Sequence, residues 1–153
     1  MIIIIEGPDG SGKTTLAKTL SEKTGWPIIH RSAPKSEEEK KAMKVMYHSL
    51  IAENTNAILD RCWYSEMAYG PTMRDESVIS YPEMYELEKC ILANGALLIY
   101  CTGDRQTLWK RCQQRGEDYV MHLADFVDIC EAYDEIMSVP HLIPVVKYEY
   151  KEM

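Results

Sequence analysis

A chain of 153 residues has the length of one domain, enough to bury a single core and too short for a second. Its apolar fraction of 46% and charged fraction of 27% are those of an ordinary globular protein, which sets disorder aside. A net charge of -7 disfavours nucleic acid as a partner, because a large basic footprint is missing, and favours small anionic ligands in a local basic pocket. The 5 cysteines (Cys62, Cys90, Cys101, Cys112 and Cys130) are widely separated, with no C-x-x-C pair and no histidine at ligand spacing. They read as small apolar residues in a reducing compartment. The apolar run at 2–5 lacks a basic start and is too short to cross a bilayer, so the expected location is cytoplasmic with no membrane partner.

The chain opens on its most informative stretch, IIIIEGPDGSGKTT at residues 2–15. Four consecutive isoleucines form an apolar, β-branched run, the pattern of a strand covered on both faces. From Gly7 the spacing G-x-x-x-x-G-K-[ST] follows, with a strand before it and an amphipathic helix after it. Glycines at 7, 10 and 12 let backbone N–H groups turn onto a polyphosphate with no Cβ in the way. Gly7, Gly10, Ser11, Gly12, Lys13, Thr14 and Thr15 are therefore the candidate ATP-binding residues. Lys13 is expected to reach the β- and γ-phosphates and Thr14 to offer its hydroxyl to Mg²⁺, while the helix starting there points its positive end at the anion.

That helix is expected to run to residue 24, with Gly25 ending it and Pro27 just beyond. A short strand follows at 27–30 and a loop at 31–36. Ser36 and Glu39 have capping-box spacing and begin a long helix to about residue 53, with Met43, Met46, Tyr47, Leu50 and Ile51 on its apolar face. A third buried strand is expected at 57–59, ending at Asp60-Arg61. Residues 62–81 are less regular. Pro82 suits the start of another helix, with Met84, Leu87 and Ile91 inward and Asn94-Gly95 closing it. Then come a strand at 96–101, a helix ending near Arg115 before Gly116, a last helix at 119–137, and a final strand at 142–146 with a short polar tail. Strands alternating with helices predict a doubly wound α/β domain over 1–153. Its five-stranded parallel sheet would carry helices on both faces, in the P-loop NTPase and kinase manner, with ligands beyond the carboxyl ends of the strands.

Two further clusters fall at such ends. Asp60-Arg61 follows a buried strand and projects toward the phosphate loop, which suits Asp60 to Mg²⁺, through water, and Arg61 to a phosphate. Arg105, Lys110, Arg111 and Arg115 bring cations together, with Arg111 and Arg115 at i, i+4. Arginines ending a helix at Gly116 suit a short lid around 105–118 that stabilises the transferring phosphoryl. His30, by contrast, reads as a satisfied loop histidine.

Taken together, GPDGSGKTT, DRCWYSEMAYG at 60–70 and TLWKRCQQRGEDY at 107–119 resemble the thymidylate kinase branch of the P-loop nucleoside monophosphate kinases. Members carry D-G-x-G-K-[ST], D-R-x-x-x-S-x-x-A-Y and a lid of type R-x-x-x-R-G, and the match covers most of the chain in order. The resemblance implies that Asp9 meets a sugar 3′-hydroxyl, that Arg61 holds the acceptor phosphate, and that Ser65 and Tyr69 line the monophosphate site. It also implies that Arg111 and Arg115 close over the transferred phosphoryl, since Gly10 stands where one group of these kinases places an arginine. The run at 69–74 resembles shorter, often viral, relatives, and makes Arg74 a candidate phosphate or base contact. The family's base-reading Phe-x-x-x-Arg stretch has no clear counterpart; Tyr47-His48 occupies roughly its place.

The expected activity is Mg²⁺- and ATP-dependent phosphoryl transfer to a deoxynucleoside 5′-monophosphate, dTMP first, with Lys13, Arg61, Arg111 and Arg115 as the catalytic cations. The expected partners are small-molecule nucleotides, and a homodimer is compatible with the chain. A nucleoside kinase is the nearest alternative, in which Glu6 or Asp60 would serve as base. A GTP-binding switch lacks an N-K-x-D segment here, and a polynucleotide 5′-end kinase is disfavoured by the acidic charge. Arg61 is expected to be a buried cation lacking a partner until an acceptor phosphate arrives.

Overall fold

The computed structural model describes residues 1–116, 119–120 and 122–151. Its centre is β1 (Ile2–Glu6), every residue of which is buried. The β-branched run forms a strand because it is flanked on both sides: β3 (Ala57–Asp60) and β4 (Ala96–Gly103) pair with it in parallel, with Ile3 opposite Ile58 and Leu97. β2 (Ile28–His30) and β5 (Val145–Tyr150) complete an all-parallel sheet of order β2-β3-β1-β4-β5. The five strands and their parallel arrangement are as the sequence predicts.

Alternation along β1 divides the core. Ile3 and Ile5 face α1 (Lys13–Thr24), packing with Ala17, Ile58 and Cys101. Ile2 and Ile4 face the larger cluster, fed by α2 (Glu37–Glu53), α3 (Trp63–Arg74), α4 (Tyr81–Leu92) and α6 (Leu123–Ser138), with α5 (Arg105–Gln114) adding Leu108 and Cys112. Helices thus cover both faces. The helix starts are chemically marked. The Ser36 hydroxyl accepts from the Glu39 N–H at 3.1 Å, and Ser80 with Glu83 forms a complete capping box at the head of α4. At the tail of α1, Gly25 takes the left-handed cap with φ 74.

Three expectations are corrected. Residues 63–74 form the regular helix α3 where the sequence reads as irregular. Trp63, Tyr64, Glu66, Met67, Ala68, Tyr69 and Gly70 are all buried, so the first two turns of α3 have no solvent face and hence no amphipathic period to read. The last helix begins at Leu123 and not at residue 119. The last strand runs over Val145–Tyr150 instead of 142–146, because Ile143 plugs the core at 3% exposure and the Pro144 carbonyl accepts from Leu98 N–H. The stretch taken for a polar tail is an edge strand, where exposed polar residues are tolerated.

Away from the strand ends lies a buried ion pair. Glu88 on α4, fully buried, accepts from the Tyr64 hydroxyl at 2.6 Å and from Leu142 N–H at 2.8 Å, and stands 2.6 Å from His141 Nδ1. His141 Nε2 faces the Ile136 carbonyl at 2.8 Å. Both ring nitrogens therefore meet acceptors, which only the imidazolium can satisfy. Burial opposes the charge, but the hydrogen bond and charge of Glu88, with the Ile136 carbonyl, outweigh it and hold His141 above its ordinary 6.5. A raised folded-state pKa stabilises fully below the unfolded value and is lost as pH climbs through the folded one. His141→Ala is expected to cost about 3–5 kcal/mol at pH 6. In thermal melts its gap in Tm from wild type should narrow as pH rises toward 9; a pH-independent gap would show that the pair is not ionic.

Candidate active site

The site is built on the carboxyl ends of β1 and β3. Beyond β1 the chain must squeeze between β4 and α5: a Cβ on Gly7 would lie 2.0 Å from the Cys101 carbonyl oxygen, and one on Gly10 2.5 Å from that of Leu108. Both glycines have positive φ, 151° and 81°. Ser11, fully buried, closes the turn by donating its hydroxyl to the Pro8 carbonyl at 2.6 Å. α1 then starts at Lys13 with no side-chain cap and no acidic residue in its first turn. Its leading N–H groups are left for an anion, and Thr14 and Thr15 are exposed beside them.

Lys13 lies over this loop, only 7% exposed, with Nζ 3.3 Å from the Pro8 carbonyl and 4.0 Å from Asp9 Oδ1. Burial, helped by the neighbouring Arg61 charge, lowers its pKa to about 8, against the pull of Asp9, Asp60 and Glu6. A buried ammonium with so few partners is primed to accept anionic oxygens.

At the end of β3, Asp60 is 5% exposed; its Oδ2 is 3.5 Å from His30 Nδ1, and its Oδ1 is a buried oxygen with no hydrogen-bond partner among the described residues. His30 stands opposite Asp60 in the β2–β3 register and is thus a partner of the site, not only a loop residue. An orphaned buried carboxylate oxygen at the end of β3 and the exposed Thr14 hydroxyl at the head of α1 are hard-oxygen donors of the kind Mg²⁺ takes when phosphates complete its shell. The residues fit the ion.

Arg61 follows in the left-handed region, φ 73°, one of two non-glycine residues with positive φ among those described. Its guanidinium pairs with the Asp9 carboxylate, reaches the Tyr69 hydroxyl at 3.4 Å, and lies 4.9 Å from the centroid of the Tyr69 ring. Tyr69 also accepts from Asp9 N–H at 3.2 Å. Arg61 is therefore not the partnerless cation expected: Asp9 neutralises it, because the phosphate loop and the end of β3 converge. Ser65 borders the same cleft, but its hydroxyl donates to Glu6 at 2.6 Å.

The cleft beside Arg61 has a volume of about 450 Å³. Asp9, Arg61, Cys62, Ser65 and Tyr69 line its inner end; Glu66, Arg74 and Tyr119 line another wall, with Met43 and Tyr47 from α2. Arg74 pairs with Glu66 and donates to the Tyr119 hydroxyl at 3.1 Å. The loop from Arg31 to Lys35 adds two cations. Arg31, Lys35, Met43, Glu66 and Tyr119 were not singled out from sequence. For Arg31 and Lys35 the two basic residues in an otherwise unremarkable loop were the available signal. Of the pair Tyr47-His48, only Tyr47 lines the cleft. Glu6 and Asp60 do not line it, although His30 and Arg61, the neighbours of Asp60, do.

Arg111 on α5 reaches the other side of the loop, donating to the Gly10 carbonyl, its guanidinium 3.9 Å from the centroid of the Tyr150 ring. Arg115 is the exposed C-cap of the same helix. Arg105, at the far end, pairs with Glu131 and Asp134 at 3.2 Å each and does not join them. Within the expected lid, residues 117 and 118 lie outside the described residues. No helix among the described residues is long and apolar enough to cross a membrane.

A central parallel strand, a glycine loop with buried lysine, and a helix N-terminus open to anions define a nucleotide-binding P-loop protein of kinase-like fold. The family model described as ATPase family associated with various cellular activities (AAA) matches residues 3–87, and the chain belongs to that family. It is 31% identical over 137 residues to the SPbeta prophage-derived uncharacterized protein YorR of Bacillus subtilis (strain 168), covering 90% of this chain and 82% of that protein. It is also 24% identical to a probable gluconokinase of Xenopus tropicalis, over 75% of this chain and 69% of that one. The crystal structure of YorR from Bacillus subtilis in complex with phosphorylated GDP superposes with a TM-score of 0.81 at 29% identity, covering 97% of this chain and 85% of that one. A deoxyadenosine kinase from M. mycoides with bound dATP shares the fold at TM-score 0.62 and 15% identity, covering 97% and 91% of the two chains.

Lys13→Ala is expected to lower the kcat of ATP turnover by about 10²–10³-fold, the usual loss when one electrostatic stabiliser is removed. Its Tm should hold or rise, since a depressed pKa means the charged lysine costs stability in the free protein. Polyphosphate binding should raise that pKa again, so ATP affinity should fall as pH passes about 8 with a proton taken up on binding, as calorimetry in two buffers would show. Retention of wild-type turnover would remove Lys13 from the chemistry.

Proposed function

We propose that the protein transfers the γ-phosphoryl of Mg²⁺-ATP to the 5′-phosphate of a nucleoside monophosphate, a deoxynucleotide with dTMP as the first candidate. The observation carrying this reading is Arg61. It lines the cleft with the Arg31–Lys35 loop, is held there by Asp9 of the glycine loop and by Tyr69, and its charge is felt by Lys13. Such a place suits an acceptor that is already anionic. An incoming phosphate exchanges places with Asp9 on the guanidinium, freeing Asp9 for a sugar hydroxyl. The carboxylates lining the cleft among the described residues, Asp9 and Glu66, are both ion-paired with arginine, so neither is a free carboxylate base for a 5′-hydroxyl, which weighs against a nucleoside kinase.

In this reading ATP lies along the glycine loop, its β- and γ-phosphates on Lys13 and the N-terminus of α1. Gly7, Gly10, Ser11, Gly12, Thr14 and Thr15 shape that bed. Thr14 and Asp60 would hold Mg²⁺, which when bound neutralises developing phosphate charge. Arg61 orients the acceptor phosphate in line. Arg111, already against the loop at Gly10, is positioned for the transferring group, with Arg115 one turn further along. Tyr69, Ser65 and Arg74 bound the acceptor, and Tyr47, Tyr69 and Tyr119 offer aromatic faces for its base. The phosphorylated GDP in the YorR complex adds guanine nucleotides to the candidates.

The test is ADP release from Mg²⁺-ATP across dTMP, dGMP, dAMP, dCMP, the ribonucleotides, the free nucleosides, gluconate and a 5′-hydroxyl oligonucleotide. Turnover with at least one nucleoside monophosphate and none with free nucleosides is expected; thymidine phosphorylated in preference to dTMP would overturn the reading. With the acceptor in hand, Arg61→Ala should raise its KM as well as lower kcat, whereas Arg111→Ala should act chiefly on kcat. Equal effects confined to KM in both variants would refute that division.

A further inference from the structure

Behind Arg61 sits a carboxylate that the proposed chemistry does not use. Glu6, the last residue of β1, is fully buried and does not border the cleft. Its Oε1 accepts from Cys62 N–H at 2.6 Å and from Ser65 N–H at 3.1 Å, the N-cap and the first turn of α3. Its Oε2 accepts from the Ser65 hydroxyl at 2.6 Å and the Tyr133 hydroxyl at 2.9 Å. Four donors fill the lone pairs of one carboxylate. A charge buried at this depth is an expensive way to fill space, since a hydrophobic residue of similar volume is often no less stable. Its neighbours show what it holds in place.

Arg61 has a backbone conformation that a side chain larger than glycine's resists, at a cost of about 1–3 kcal/mol. It is gripped on both sides by consecutive residues of β1: its own N–H donates to the Ile5 carbonyl at 3.0 Å, and the next N–H, of Cys62, donates to Glu6. Ser65 extends the grip one turn into α3, and Tyr133 ties it to α6. We infer that Glu6 is a positioning residue, holding Arg61 in its left-handed turn so that the guanidinium points into the cleft toward an anionic acceptor. Tyr133 is the brace behind it. Ser65, bordering the cleft through its position and not through a free hydroxyl, belongs to the same clamp.

The inference rests on the phosphate-holding role proposed for Arg61, and the test separates the two. Glu6→Gln keeps one oxygen for the Cys62 and Ser65 N–H groups, so the chain still folds, but it sets an NH2 group where the Ser65 and Tyr133 hydroxyls have their acceptor, so the grip through Oε2 and the negative charge are lost. With the acceptor found by the panel, Glu6→Gln should raise acceptor KM about tenfold and leave the Kd for Mg²⁺-ATP within about twofold, with Tyr133→Phe smaller in the same direction. In an Arg61→Ala background Glu6→Gln should add nothing further, because the residue it positions is gone. Equal losses for ATP and acceptor, or full additivity with Arg61→Ala, would reduce Glu6 to a structural carboxylate. Should wild type turn over no monophosphate, the functional reading falls while the clamp stays testable: a crystal structure of Glu6→Gln in which Arg61 keeps its φ and its contacts with Asp9 and Tyr69 would overturn it, and displacement of Arg61 would support it.

Discussion

A β-carbon on Gly7 would stand 2.0 Å from the carbonyl oxygen of Cys101, so the chain leaving β1 can pass β4 only as bare backbone. Gly10 meets the same restriction against α5. The loop is therefore wedged between a strand and a helix, and the N–H groups it does not use internally face outward with the head of α1. Because β1 pairs with β3 as well as β4, the same strand end also sets where Asp60 and Arg61 emerge. The glycine loop, the candidate magnesium ligand and the arginine proposed for the acceptor side are thus placed by one buried strand.

The charge distribution adds a second constraint. A chain with net charge -7 gathers Lys13, Arg31, Lys35, Arg61, Arg74 and Arg111 around one end of its sheet. Two of the arginines are neutralised internally, Arg61 by Asp9 and Arg74 by Glu66. Such pairs keep partly buried cations tolerable in the free protein, and the anionic acceptor proposed for the cleft would compete for them by exchange instead of filling an empty positive hole. Lys13 is the exception: its depressed pKa reflects a desolvated ammonium whose compensation is incomplete.

The errors of sequence reading have a common cause. α3 was illegible because burial around its first two turns erases the periodicity by which helices are recognised. β5 was displaced because an edge strand exposed at nearly every position resembles a polar tail. Ser65 borders the cleft, yet its hydroxyl is turned to Glu6, a residue 59 positions away. Arg61 was expected to be unpaired, although Asp9 is 52 positions earlier in the chain. Each miss concerns what a side chain meets across the fold.

Local signals decided the rest. Sequence by itself determined the parallel α/β architecture, the glycine loop with Lys13 and Thr14, the caps at Gly25 and Ser36, and the place of Asp60-Arg61 at the end of a buried strand, because strand patterning, glycine spacing and capping are properties of neighbouring residues. Only the tertiary structure decided that Arg61 is paired with Asp9 in a left-handed turn, that Arg111 rather than Arg105 reaches the loop, and that Arg31, Lys35, Met43, Glu66 and Tyr119 share one cleft. Those facts depend on where separate strand ends and helices converge, and packing of the whole core, not the order of residues along any one element, sets that convergence.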